Sequence, residues 1–182
     1  GTPISDWQKM ADTGYAWWIR RLSAAAGMYD VVRFDHFRGF ESYWAVPFGD
    51  ETARGGKWIK GPDMAFIRAV QAALPQVQLI AEDLGFLTKE VKELQKASGY
   101  PGMKILQFAF EGEGNSEYLP HNYTRHSVAY TGTHDNDTLI GLIENAKEWD
   151  YNNLVTGVKE SMQKFGVTGD VSDKYGLAKA II

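Results

Sequence analysis

The chain has 182 residues and a formal net charge of −4, and its 44% hydrophobic, 23% charged composition is that of a globular protein with a sizeable core. Mild acidity leaves no electrostatic footprint for nucleic acid, and no apolar run is long enough to span a bilayer. The absence of cysteine excludes disulfides and thiolate metal sites, which fits a reducing cytosol. Aromatic residues make up 13% and include six Trp, a content that serves either a large aromatic core, the plainer reading, or flat surfaces for rings and sugars.

In chain order, residues 6–26 read as one helix. Asp6 suits its N-cap, Trp7, Met10, Ala11, Tyr15, Trp18 and Leu22 recur at helical spacing, and Gly27 ends it. Residues 28–35 form a short apolar run bounded by turn signals, read as a buried strand. Residues 37–62 read as a long loop, interrupted by Gly49, Gly55, Gly56 and Gly61. A helix over 63–74, a strand over 77–82 and a helix capped by Thr88 and ending near Ser98 and Gly99 follow. Strands are expected over 103–110 and 127–131, then a helix capped by Asp137 and running to about Lys147. The tail over 149–182 reads as partly helical, with breaks at Gly166, Gly169 and Gly176. This alternation argues for an α/β fold of parallel βαβ units with right-handed crossovers. Four such strands make either a small open sheet or half of a (β/α)8 barrel, and the pattern alone does not choose.

Three acids fall at or just past the C-terminal ends of these strands: Asp35 in Val-Arg-Phe-Asp-His, Glu82 in Ile-Ala-Glu-Asp-Leu-Gly, and Asp135 in Thr-Gly-Thr-His-Asp-Asn-Asp. In α/β barrels that face carries the active site. A carboxylate there is partly desolvated and needs a partner or a task. Arg33 and Asp35 lie two apart on a strand and so face the same way, which favours the ionised carboxylate that a nucleophile needs; a purely structural Arg–Asp pair is the competing reading. If Glu82 sits near Asp35 and Asp135, like charges and burial favour its protonated form, the division of labour that glycoside cleavage requires. Asp83 reads as a loop hydrogen-bonding residue and Asp137 as a cap. No His spacing suggests zinc, and no cofactor motif is present.

Taken together these segments resemble the 4-α-glucanotransferase family of the α-amylase clan. The matching stretches are 31–47 (Val-Val-Arg-Phe-Asp-His-Phe-Arg-Gly-Phe-Glu-Ser-Tyr-Trp-Ala-Val-Pro), 56–62 (Gly-Lys-Trp-Ile-Lys-Gly-Pro), 79–85, 99–110, 118–123 and 130–138. The resemblance implies a partial (β/α)8 TIM barrel, strands four to seven with their helices, so that residues 1–182 are a fragment of a catalytic barrel domain. It implies transfer of α-1,4-glucan segments to a sugar 4-hydroxyl by a retaining double displacement. Asp35 matches the nucleophile, Glu82 the general acid/base and Asp135 the third carboxylate. Arg33 and His134 match sugar-contacting positions beside them, and Phe108 an aromatic on the groove wall; within this motif His36, flanking Asp35, is a further candidate donor to sugar hydroxyls. Trp58 is a further candidate for holding the acceptor sugar, whereas Tyr43 and Trp44 read equally well as core. Implied partners are α-1,4-glucans and malto-oligosaccharides, with no metal, cofactor, nucleic acid or membrane, in the cytoplasm or, for a plant source, a plastid.

Two departures stand out. The start reads Gly-Thr-Pro-Ile-Ser where the family usually has Gly-Asn-Pro-x-Tyr, so Thr2 and Ser5 bear on acceptor contacts, and Gly-Pro-Asp replaces the commoner Gly-Pro-Gly at 61–63. Half a barrel carries unpaired strand edges, so the 182-residue polypeptide by itself is expected to be inactive and poorly soluble. Competing functions are a retaining α-glucan hydrolase with the same three acids, a non-catalytic glucan-binding module, and an independent α/β structural or partner-binding domain.

Overall fold

The computed structural model describes residues 3–110 and 116–182 and divides into two units, 1–103 and 104–182. The departure at Thr2 lies outside the described residues.

The first unit begins with α1 (Trp7–Asp12) and α2 (Ala16–Ala26), not one continuous helix. Asp6 caps α1 through its carboxylate, which accepts from the Lys9 N–H at 3.1 Å. Gly14 and Tyr15 then adopt successive left-handed conformations, φ 61° and 58°, and break the helix despite its unbroken apolar period. Tyr15 is held there by burial, its ring lying edge-on to Phe66 at 5.4 Å. Strand β1 (Val31–Phe34) pairs in parallel with β4 (Gln78–Ala81), Arg33 opposite Ile80 and Phe34 opposite Ala81. Between them, the expected long loop contains a 3-10 turn (Phe37–Phe40) and an antiparallel hairpin of β2 (Ser42–Ala45) and β3 (Lys57–Lys60), with Trp44 opposite Trp58.

Helix α3 (Asp63–Ala73) follows the hairpin, and α4 (Lys89–Ser98) follows β4 with Thr88 as its N-cap, both close to the sequence expectation. Asp63 has φ 54°, so the departure from the family's glycine falls at a left-handed position, one that glycine takes freely and Asp tolerates better than most residues. The main-chain N–H of Ala81 donates to the Pro101 carbonyl at 2.9 Å, laying the start of β5 (Gly102–Ile105) beside β4. The core of this unit is an aromatic cluster: Phe34, Phe37, Phe40, Phe66, Tyr15 and Tyr100, with Trp7 and Trp18 against it. Its rings meet mostly edge-to-face or tilted at 4.7–6.4 Å, the arrangement that their quadrupoles favour.

In the second unit, β5 gives way after Ile105 to a 3-10 turn (Leu106–Phe110), shortening the strand expected over 103–110. Strand β6 (Ser127–Tyr130) pairs with β5. Helices α5 (Leu139–Asn145), α6 (Glu148–Phe165) and α7 (Lys174–Ile181) complete it. The cap of α5 is Thr138, whose hydroxyl accepts from the Gly141 N–H at 3.0 Å, and not Asp137. Gly166 ends α6 in the left-handed conformation common at helix C-termini, but Gly176 lies within α7 and breaks nothing. This core is aliphatic: Ile143, Leu154, Val158, Leu177 and Ile181. Among the described residues no helix is long and apolar enough to cross a membrane.

Candidate active site

Asp35 and Glu82 occupy the first positions past the C-terminal ends of β1 and β4, strands paired directly to each other. The join continues beyond the strands. Glu82 N–H donates to the Phe34 carbonyl at 2.9 Å, and Phe37 N–H donates to the Glu82 carbonyl at 3.1 Å. Both oxygens of the Glu82 carboxylate also accept main-chain donors, Oε2 from His36 N–H at 2.7 Å and Oε1 from Leu84 N–H at 2.9 Å. Parallel pairing thus brings the two acids to one strand edge, and the chain on both sides anchors Glu82.

Arg33 lies in β1, half-buried, and its guanidinium is ion-paired with Asp35. Its other amino group lies 4.0 Å from the Met103 sulfur. The same-face argument from sequence is met. The Asp35 side chain remains 74% exposed, open to a reacting group. His36, between the acid and the 3-10 turn, has φ 48°, an unusual conformation for a residue with a Cβ. Its side chain is exposed.

Asp83, next to the acid/base candidate, takes the loop-bonding part expected of it. Its Oδ1 accepts the Met103 N–H at 2.6 Å and so ties the loop after β4 to the start of β5. The carboxylate packs so closely against Gly102 that a Cβ there would collide with it.

Trp58 projects from β3 and is 55% exposed. The Arg38 guanidinium lies over its ring at 4.6 Å and donates to the Phe86 carbonyl at 2.8 Å, so one face of the indole is already occupied. Trp44 is 42% exposed, edge-on to Trp58 at 5.5 Å, and donates its indole N–H to the Ala53 carbonyl; it is not a core residue.

In the second unit, Asp135 and His134 sit in an exposed turn after β6, His134 Nε2 3.4 Å from Asp135 Oδ1. Asn136 shapes the turn. Its Oδ1 accepts both the N–H and the hydroxyl of Thr133, each at 2.9 Å, and Thr133 Oγ1 accepts the Asp135 N–H at 3.3 Å. Buried Gln107 supports the same loop: its N–H donates to the Thr131 carbonyl at 3.2 Å and its amide to the Asp137 carbonyl at 2.9 Å. Half-buried Phe108 meets Tyr118 edge-on at 5.4 Å.

Sequence reasoning passed over Arg38, Glu41, Gln107 and Asn136. Gln107 alone left a signal, a single amide inside the apolar run 105–110. Glu41 is buried, bonded to Ser42 Oγ and to Lys60 Nζ at 2.6 Å, and Lys60 reaches Asp63 at 3.1 Å. That ladder ties the hairpin to the start of α3 and raises the Lys60 ammonium above its ordinary range, chiefly through the Glu41 bond. Among the described residues no group of acids and imidazoles could hold a metal ion.

The model of one family, 4-alpha-glucanotransferase, matches residues 1–177. The chain belongs to the 4-alpha-glucanotransferase family. A 4-alpha-glucanotransferase of Clostridium butyricum is 45% identical over 185 residues, covering all of this chain and 36% of that protein. One from Streptococcus pneumoniae is 49% identical over 165 residues, covering 91% of this chain and 31% of its own. Among solved structures, an amylomaltase from Streptococcus agalactiae in complex with acarbose superposes with a TM-score of 0.80 at 36% identity, over 87% of this chain and 32% of that one. The chain therefore spans about a third of the length of the relatives it matches. The mixed α/β architecture agrees with that amylomaltase.

Proposed function

We propose that the protein carrying this chain is a 4-α-glucanotransferase that moves segments of α-1,4-glucan onto a sugar 4-hydroxyl, with Asp35, Glu82 and Asp135 as its three working acids. Family membership and the paired strand-end placement of Asp35 and Glu82 support the reading. In it, Glu82 gives its proton to the glycosidic oxygen while the Asp35 carboxylate attacks the anomeric carbon. The carbon–oxygen bond breaks, the shortened glucan leaves as an alcohol, and the glycosyl group is held as an ester on Asp35. The Glu82 carboxylate then takes the proton of an incoming 4-hydroxyl, whose oxygen displaces Asp35 and restores the original configuration. Asp135 grips sugar hydroxyls and favours the flattened, oxocarbenium-like ring. Arg33 holds Asp35 by their ion pair, His36 and His134 donate to sugar hydroxyls, and Trp58 and Phe108 supply flat surfaces that raise the effective concentration of the acceptor.

The same reading makes residues 1–182 part of a catalytic (β/α)8 barrel, with β1, β4, β5 and β6 as its fourth to seventh strands. The parallel β1–β4 pair, linked through α3, supports this. Its substrates are α-1,4-glucans and malto-oligosaccharides, and its location the cytoplasm, or a plastid in a plant.

Because the chain spans about a third of its relatives, the test uses the full-length protein. Incubated with maltotriose, it yields longer oligosaccharides with no net rise in reducing ends. A rise in reducing ends matching the substrate consumed means hydrolysis instead. Glu82→Gln lowers turnover by about 10²–10⁴-fold. Full activity in that variant, or in Asp35→Asn, rejects the assignment.

A further inference from the structure

The side chain of His36 is exposed. Its main chain has a consequence. At φ 48° and ψ 53° the left-handed residue reverses the path of the chain after Asp35, and its N–H meets Glu82 Oε2 at 2.7 Å. Three further features make this a built contact. The next N–H, of Phe37, binds the Glu82 carbonyl at 3.1 Å, so one turn grips both the side chain and the main chain of the same acid. Phe37 is fully buried in the aromatic cluster, which anchors the turn from below. On the far side, Leu84 N–H holds Oε1 at 2.9 Å. Each carboxylate oxygen has two lone pairs, so two main-chain donors fix the plane of the group and still leave it free to carry and release a proton.

We propose that His36 is a positioning residue acting through its backbone: the left-handed turn it adopts next to Asp35 aims its N–H at Glu82 and orients that carboxyl group for proton transfer. The inference rests on Glu82 being the acid/base of the proposed reaction. It separates two contributions of His36, a side chain that touches sugar and a backbone that orients Glu82. A left-handed residue without glycine is strained, and such strain at a working site is maintained only when the surroundings over-determine it. Here the buried Phe37 and the double grip on Glu82 supply that determination.

The test compares substitutions that remove the same imidazole but differ in backbone preference. His36→Gly and His36→Asn accept the left-handed conformation, whereas β-branched His36→Val resists it. Turnover of maltotriose is measured in the full-length protein, separating kcat from KM. All three variants raise KM, because all lose the side chain. The Val variant has a kcat about tenfold to a hundredfold below that of the Gly variant, the range for losing a hydrogen bond to a charged group. Equal kcat values in Gly and Val variants that both melt cooperatively overturn the proposal.

A second measurement needs no catalysis and covers the case of a Val variant that does not fold. The His36 amide proton is followed by NMR in the wild type and in Glu82→Gln. A downfield resonance that moves upfield on loss of the carboxylate supports the contact, and an unchanged one overturns it. Full activity in Glu82→Gln would instead reject the underlying catalytic reading while leaving the amide result to stand by itself.

Discussion

The two units hold their acids in different ways. In the first, Asp35 and Glu82 extend directly from paired parallel strands, main-chain donors clamp Glu82, and a cluster of interlocking rings lies beneath. In the second, whose core is aliphatic, Asp135 sits in an exposed turn shaped by side-chain amides, those of Asn136 and Gln107. Main-chain clamping is insensitive to most substitutions because every residue type except proline carries the same N–H. An amide staple depends on one side chain. In the proposed reaction the first arrangement suits the two groups that act on the scissile bond, and the second suits a group that grips hydroxyls.

The sharpest way to break the contrast is through the cores. Phe66 is fully buried and contacts Trp7, Tyr15, Trp18, Phe34 and Phe40. Phe66→Ala costs about 3–5 kcal/mol, against about 2–5 kcal/mol for Leu177→Ala in the aliphatic core. Denaturant titration of the two variants measures this, and a loss under 1 kcal/mol for Phe66→Ala would show that the aromatic cluster is not the foundation of the strand-end site.

Alkaline stability probes the first unit next, although burial also raises the Tyr123 phenol in the second. Burial pushes the Tyr100 phenol from 10.0 up to about 12, with the Gln71 side chain pulling the other way. Burial raises Tyr15 in the same unit as well. The folded state keeps Tyr100 neutral where the unfolded chain ionises. The resulting stability is complete below pH 10 and is lost as pH rises through about 12, a change on the order of 2–3 kcal/mol. Unfolding measured across that window should flatten in Tyr100→Phe; an identical slope in the variant disproves the assignment.

The smallest effect belongs to the amide staple. Asn136→Ala leaves the Thr133 N–H and hydroxyl without their partner and costs about 1–3 kcal/mol locally. In the proposed reaction, transfer activity falls through KM more than through kcat, because the turn carrying Asp135 and His134 loosens while Glu82 keeps its main-chain clamp and Asp35 its ion pair with Arg33. A variant with unchanged KM would mean that the turn Asn136 shapes does not grip sugar.

Much of this was legible along the chain. The apolar runs ending at Asp35 and Glu82, the Thr88 cap and the periodic face of α3 all report through neighbours a few residues away, which is where pattern reading is strongest. The β2–β3 hairpin was not, because its glycines mimic a loop and its strands pair across eleven intervening residues, Ala45 to Lys57. Nor was the break at Gly14 and Tyr15, where packing of Tyr15 on Phe66 overrides an unbroken helical period.

From the sequence alone came the family, the mixed α/β character and the strand-end placement of Asp35 and Glu82, since those depend on residue type and local period. The tertiary structure alone decided that β1 and β4 are neighbours, that the His36 N–H points at Glu82, and that Asp63 occupies a left-handed position. Each of these is a relation between main-chain atoms. Backbone donors are the same in every residue but proline, so only the path of the folded chain can select which one meets which carboxylate.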